Sequence, residues 1–132
     1  MVERKQKNCQ ITIVSMVDGR ETTTACEGIY REEDGKITLA YADDNAETLL
    51  VFDKDVVQVE RKGDYSLSLR LKENELTSGF LGINGGQGEI STYTHKLAYS
   101  SNKRVFLAIL HYDLLFSTDP QSMKLRLSVK RL

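Results

Sequence analysis

The chain predicts an all-β fold: a single closed or nearly closed antiparallel up-and-down β-barrel of about 8–10 strands. Three observations carry this. Apolar and polar residues alternate with a two-residue period almost throughout, most cleanly in Tyr65-Ser66-Leu67-Ser68-Leu69-Arg70-Leu71-Lys72. Such alternation puts one set of side chains on a buried sheet face and the other in water. Two Asp-Gly pairs, Asp18-Gly19 and Asp34-Gly35, lie between alternating segments, and Asp-Gly suits the two left-handed positions of a tight hairpin turn. Only one proline occurs, Pro120, in the last connection, where it removes no ladder hydrogen bond.

Taken in order, segments 9–16 and 20–30 form the first hairpin across Asp18-Gly19. That turn sets Ile11 opposite Cys26 and Cys9 opposite Gly28. Across Asp34-Gly35, segment 37–41 pairs back, setting Tyr30 opposite Leu39 and Tyr41 over Gly28. An aromatic ring there would cover bare strand backbone. The two registers agree in placing Ile11, Ile13, Cys26, Tyr30, Ile37, Leu39 and Tyr41 on one face. Segments 47–52, 56–61 and 65–72 continue the meander. A three-residue loop at 62–64 opposes Val59 to Leu67 and Val57 to Leu69, apolar to apolar, with Gly63 in a left-handed bulge position. Segments 75–80, 89–99, 104–116 and 122–132 complete about ten strands. The run 105–115 is apolar on both faces and reads as a central strand covered on both sides or a strand crossing a chain terminus, with a helix the weaker reading given Val105, Ile109 and the aromatics. Closure would remove the free edges of so long a meander.

With 132 residues the chain makes one domain, residues 1–132, large enough for a core without staples. Its 40% hydrophobic and 28% charged content and net charge of −1 are those of a soluble globular protein. Mixed charge argues against nucleic acid, which needs a concentrated basic face; the basic pairs Arg4-Lys5 and Lys130-Arg131 read as solvated termini. No signal-peptide pattern and no apolar run of membrane-spanning length appears, so the expected address is cytoplasmic, with no membrane partner. Cys9 and Cys26 fall diagonally across their hairpin, roughly 7 Å or more apart, too far for an unstrained disulfide. They read as reduced, buried residues, and no cofactor or metal is expected from the two histidines and two cysteines.

The ordered pieces Val17-Asp18-Gly19, Glu27-Gly28-Ile29-Tyr30, Leu39-Ala40-Tyr41, Val59-Glu60-Arg61-Lys62-Gly63, Gly88-Glu89-Ile90 with Thr92 and Thr94, and Leu110-His111-Tyr112-Asp113-Leu114 resemble the YwiB-like family of bacterial proteins of unknown function. The resemblance spans nearly the whole chain and implies a calycin-like (lipocalin-like) barrel; it implies no activity. One departure is Gln87, where the family pattern has an aromatic before Gly88.

Five residues stand out as candidate ligand contacts. Tyr30 and Tyr41 fall on the apolar face, where inward tyrosines serve either as core or as polar handles of a cavity. Arg61 lies on the same side as Val57 and Val59, either snorkelling at a strand end or ready for an anionic group. His111 and Asp113 are two apart and share a face with Val105, Leu107, Ile109 and Leu115; if that face lines the barrel, the pair sits in a low-dielectric interior. The other histidine, His95, alternates with Tyr93 and Leu97. The glycines at 79, 82, 85, 86 and 88 lack the following helix and Gly-Lys-Ser/Thr of a phosphate loop and read as a flexible connection.

These observations point first to a small barrel that binds a small, partly apolar or anionic ligand; an interior packed solid would remove that reading. A module pairing through an exposed strand edge as a homodimer is the second reading. A hydrolase-like enzyme using His111–Asp113 is the third; it has no nucleophile, and the chain leans away from an enzyme.

Overall fold

A computed structural model describes residues 7–43, 45–83, 85–115 and 119–132. The ends of two expected features, Phe116 in the ninth strand and the Arg4-Lys5 pair, lie outside these. The elements are β1 (Cys9–Val17), β2 (Arg20–Glu33), β3 (Lys36–Ala42), β4 (Ala46–Asp53), β5 (Val56–Gly63), β6 (Ser66–Lys72), β7 (Leu76–Ile83), β8 (Gly86–Ser101), β9 (Val105–Leu115) and β10 (Pro120–Arg131). Each pairs antiparallel with the next, and β1 pairs with β10, so the ten strands close a barrel. No helix occurs among the described residues.

Both Asp-Gly turns have the expected backbone. Asp18 and Gly19 have φ of 49° and 84°, and Asp34 and Gly35 have 53° and 79°, so both central positions are left-handed, as a type I′ turn requires. The registers follow: Ile11 faces Cys26, Cys9 faces Gly28, Tyr30 faces Leu39 and Tyr41 faces Gly28. Asn8 extends the first ladder with its side chain, accepting from the Tyr30 N–H at 2.7 Å and donating to the Tyr30 carbonyl at 2.9 Å. Both cysteines are unpaired, and burial pushes both thiols up.

Three expectations are corrected. Strands β5 and β6 pair two residues further apart than expected: Val59 faces Leu69, Val57 faces Leu71 and Arg61 faces Leu67. A shift of two keeps every side chain on its own face, so the apolar pattern is blind to it. Arg61 fixes the longer connection, donating to the Tyr65 carbonyl at 2.8 Å and pairing with Asp64 at 2.8 Å. Gly63 is not among the left-handed residues; it is needed because a Cβ there would run into the Asn45 carbonyl and Ala46. The second correction is the glycine-rich stretch, which is a hairpin rather than a loose connection: β7 and β8 pair from Leu76–Tyr93 to Ile83–Gly86. The third concerns β9, which is not covered outside, since Leu107 is 49% exposed.

Strand β8 carries a register break between Thr94 and Lys96. One extra residue there lets Thr94 and Leu97 both face inward, and it bends the strand toward the turn after β6. That turn holds it: the Asn74 N–H donates to the Thr94 carbonyl at 2.7 Å, and Glu73 accepts from the Leu97 N–H at 3.1 Å.

Alternate residues of all ten strands fill the barrel. Leu39, Phe52, Val57, Leu71, Phe106 and Leu110 have no accessible surface, so no water-sized space adjoins them. At the end that holds the turns after β2 and β4, Phe52 packs on Phe106 and Tyr99 at ring-centroid distances of 4.9 and 5.1 Å, and Tyr30 on Phe106 at 5.7 Å.

Gly28 sits where β2 crosses this core. A Cβ there would lie 2.5 Å from both the Ala40 carbonyl oxygen and the Ile11 Cδ1. The carbonyl belongs to the ladder and cannot move aside alone. Gly28→Ala is expected to cost about 1–3 kcal/mol of stability, measured by urea unfolding, whereas Gly86→Ala, whose nearest neighbour is the Ile83 carbonyl oxygen at 3.5 Å, is expected to cost less than half as much.

Candidate functional site

The barrel separates the five residues singled out from the sequence into three places. Tyr30 lies at the end closed by aromatic rings. Its ring packs under the Arg131 guanidinium, 4.7 Å away, and its hydroxyl donates to Glu32 at 3.3 Å. Tyr41 and Arg61 lie toward the other end. Tyr41 is half-buried, and desolvation pushes its hydroxyl up to about 12, with the Thr48 hydroxyl pulling the other way. The Arg61 guanidinium does not reach inward. It lies 3.7 Å over the exposed Tyr65 ring and is bound to Asp64, whose carboxyl it holds below the usual range. Arg61 is therefore a clamp on the β5–β6 turn.

His111 and Asp113 stand on the outer wall of β9. The inner face of this strand carries Phe106, Ala108, Leu110, Tyr112 and Leu114, all buried. The low-dielectric interior pair anticipated from their spacing therefore does not form. Asp113 instead takes His95, with Nε2 and Oδ2 2.8 Å apart. Sequence reasoning missed this partner because it did not pair β8 with β9, which sets Tyr93 opposite Asp113. Tyr93 and His95 stand together outside, the rings edge-on at 4.9 Å, as their spacing requires, and the bulge turns Leu97 inward. The signal was present: the buried series runs Ile90, Thr92, Thr94 and then resumes at Leu97, a change of phase that marks a bulge.

The filled interior leaves no room at the centre for a ligand. A polar layer remains beside Tyr112, which is fully enclosed, its hydroxyl pushed well up by burial. Thr94 faces Tyr112 across β8 and β9, and Thr92 faces Leu114. The Oγ1 atoms of Thr92 and Thr94 have no hydrogen-bond partner among the described residues, and such a group costs stability.

A large concavity lies on the outer wall of β2 to β5, with a volume of about 520 Å³. Its origin is the register. On the outer face Ile29, Ala40, Leu49 and Glu60 stand abreast, and the next row is Glu27, Ala42, Glu47 and Lys62. The two alanines make β3 a trough between the taller side chains of β2 and β4. The floor is apolar, with Leu49 37% exposed, and Lys7, Lys62, Glu27, Glu47 and Glu60 rim it. Of the five sequence candidates only Tyr41 borders this trough.

Among the described residues no group of three or more His, Cys, Asp or Glu gathers to hold a metal ion, and no helix is long and apolar enough to cross a membrane. Residues 7–127 match the family described as "Domain of unknown function (DUF1934)". The chain belongs to that family. The barrel is also similar to the crystal structure of the ywiB protein from Bacillus subtilis, with a TM-score of 0.80 and 16% sequence identity over 96% of this chain and 92% of that one. At that identity the likeness establishes a shared YwiB-like barrel fold. No curated protein matches the chain.

Two outcomes are expected from the inner polar residues. Thr92→Val and Thr94→Val keep the shape and remove an unpartnered hydroxyl, so each is expected to raise stability by about 1 kcal/mol; a loss in chemical unfolding would mean that the hydroxyls have a partner. Tyr41 keeps its proton in the folded chain above the pH at which the unfolded chain loses it. Its contribution is therefore complete below about pH 10 and is lost as pH rises toward 12. Urea unfolding at several alkaline pH values is expected to show a decline of up to about 1.4 kcal/mol per pH unit from this residue, absent in Tyr41→Phe.

Proposed function

We propose that this protein is a binding module whose ligand, small and partly apolar, sits in the outer trough along β3 rather than inside the barrel. The observation that carries the reading is the trough itself: about 520 Å³, floored by Ile29, Ala40 and Leu49 and rimmed by charges of both signs. A concave apolar surface with a few convergent polar groups is the usual form of a ligand site. The calycin-like reading of the sequence placed the ligand in a hollow centre; the packed inner layer argues against that location. Homodimerisation through a free strand edge is also disfavoured, because every strand has a ladder partner on both sides. An interior His111–Asp113 catalytic pair loses its support, since both residues are on the outer wall and Asp113 is engaged by His95.

Ala40→Phe fills the trough from its floor without touching the inner core. Native mass spectrometry of gently purified protein is expected to show a defined adduct, lost on denaturation and absent from Ala40→Phe, while both proteins unfold at the same temperature. A bare mass for the parent protein, or an adduct retained by Ala40→Phe, would overturn the reading.

A further inference from the structure

The outer wall of β8, β9, β10 and β1, with Glu21 of β2, carries a second groove, of about 240 Å³, that the trough does not explain. Its composition differs. Lys124 on β10, His111 on β9 and Lys96 on β8 are direct cross-strand neighbours. Arg126 stands one place along β10, facing Ile109, and Val14, Met16 and Ile109 make the floor. Three cations thus flank one histidine on a sheet, with Lys96 and Lys124 two strands apart on either side of His111. None of the three forms an ion pair among the described residues. The carboxylates nearby do not relieve them. Asp113 is bound to His95 at 2.8 Å, and Glu21, which lines the far end of the groove, is separated from His111 by Met16 and Lys124 in the same row and forms no ion pair among the described residues.

We propose that this groove is a binding site for a tetrahedral oxyanion of the phosphate class, held by Lys96, Lys124 and Arg126 with His111 as a proton-gated fourth donor. Arginine and lysine supply charge-assisted hydrogen bonds to such an anion, and an imidazole adds another only when both its nitrogens carry protons. In the free protein the opposite state is favoured: burial, then Lys124, Lys96 and His95, hold His111 below its ordinary value. A bound dianion reverses the charge the ring experiences. Binding then takes up a proton, and affinity rises as pH falls through the His111 titration. The proposed anion ligands stand on β8, β9 and β10, so the site stands or falls independently of the trough on β2–β5.

The test follows the His111 imidazole by NMR against pH, in sodium sulfate and in sodium chloride of equal ionic strength. Sulfate stays a dianion across the range, so a change in its affinity reports the protein's proton and not the ligand's, and the chloride arm removes simple screening. His111 is expected to titrate at higher pH in sulfate than in chloride, and sulfate affinity to rise about tenfold for each unit of that shift. The double variant K124Q/R126Q is expected to lose at least tenfold in affinity while the His95 resonances and the unfolding temperature stay in place. Inorganic phosphate and glycerol phosphate then separate the sources: equal affinity identifies a free oxyanion, and tighter glycerol phosphate an ester whose carbon chain lies on Val14, Met16 and Ile109. Identical His111 titrations in sulfate and chloride, or unchanged affinity in K124Q/R126Q, would overturn the proposal.

Discussion

The pairing of β1 with β10 is the constraint on which the rest of this structure depends. It runs over nine residues, from Cys9–Arg131 to Val17–Met123. It is locked at both ends: Leu132 donates to the Asn8 carbonyl at 3.0 Å, and Asp18 exchanges hydrogen bonds with Ser122 at 2.9 and 3.0 Å. These contacts join the two ends of the chain, so the loop they close is nearly the whole protein. Without them the meander would leave two long edges exposed. With them, the inner positions of ten strands must fill one common volume.

How that volume is filled decides what the protein can do. One end is closed by the rings of Tyr30, Phe52, Tyr99 and Phe106, in the tilted and edge-on contacts that aromatic quadrupoles favour. Aliphatic side chains without accessible surface occupy the centre. Polar groups accumulate toward the other end, where Tyr112, Thr92 and Thr94 are buried and Tyr41 is half-buried beside them. Burial accounts for the raised tyrosine hydroxyls, and the threonine oxygens find no partner among the described residues. A barrel packed in this way leaves no open space around its central side chains, and both proposed sites therefore lie on its outer wall.

Much of this was legible in the sequence, and the exceptions have definite causes. The two Asp-Gly turns set three strands, β1 to β3, in register because their left-handed residues admit one geometry. The β5–β6 register was not legible, because a slip of two preserves every face; only the Arg61 contacts with Asp64 and Tyr65 distinguish the two. The inward turn of Leu97 depended on one extra residue, visible only as a change of phase between Thr94 and Leu97, and the His95–Asp113 contact depended on the β8–β9 register. The outward direction of His111 and Asp113 was written in Phe106, Ala108, Leu110, Tyr112 and Leu114, but β9 is apolar on both faces and the alternation there has little contrast. The trough along β3 had no signal at all. Ala40 and Ala42 gain meaning only when the register sets them between Ile29 and Leu49, and between Glu27 and Glu47.

The two outer grooves follow from one geometric rule with different chemistry. In a closed antiparallel sheet, outward residues from neighbouring strands stand abreast in rows, so a row is the unit of surface recognition. On β2–β5 the rows place small apolar residues between larger ones, and the product is shape: a slot one strand wide. On β8–β1 the rows place Lys124, His111 and Lys96 side by side, and the product is charge. The first arrangement costs little, since alanines on an outer wall leave the core untouched. The second keeps its lysines two strands apart, with the His111 ring between them. Closure holds that row on both sides, β9 by eleven residue pairs to β10 and by ten to β8. Closure thus stabilises the interior and also fixes the rows of the outer wall.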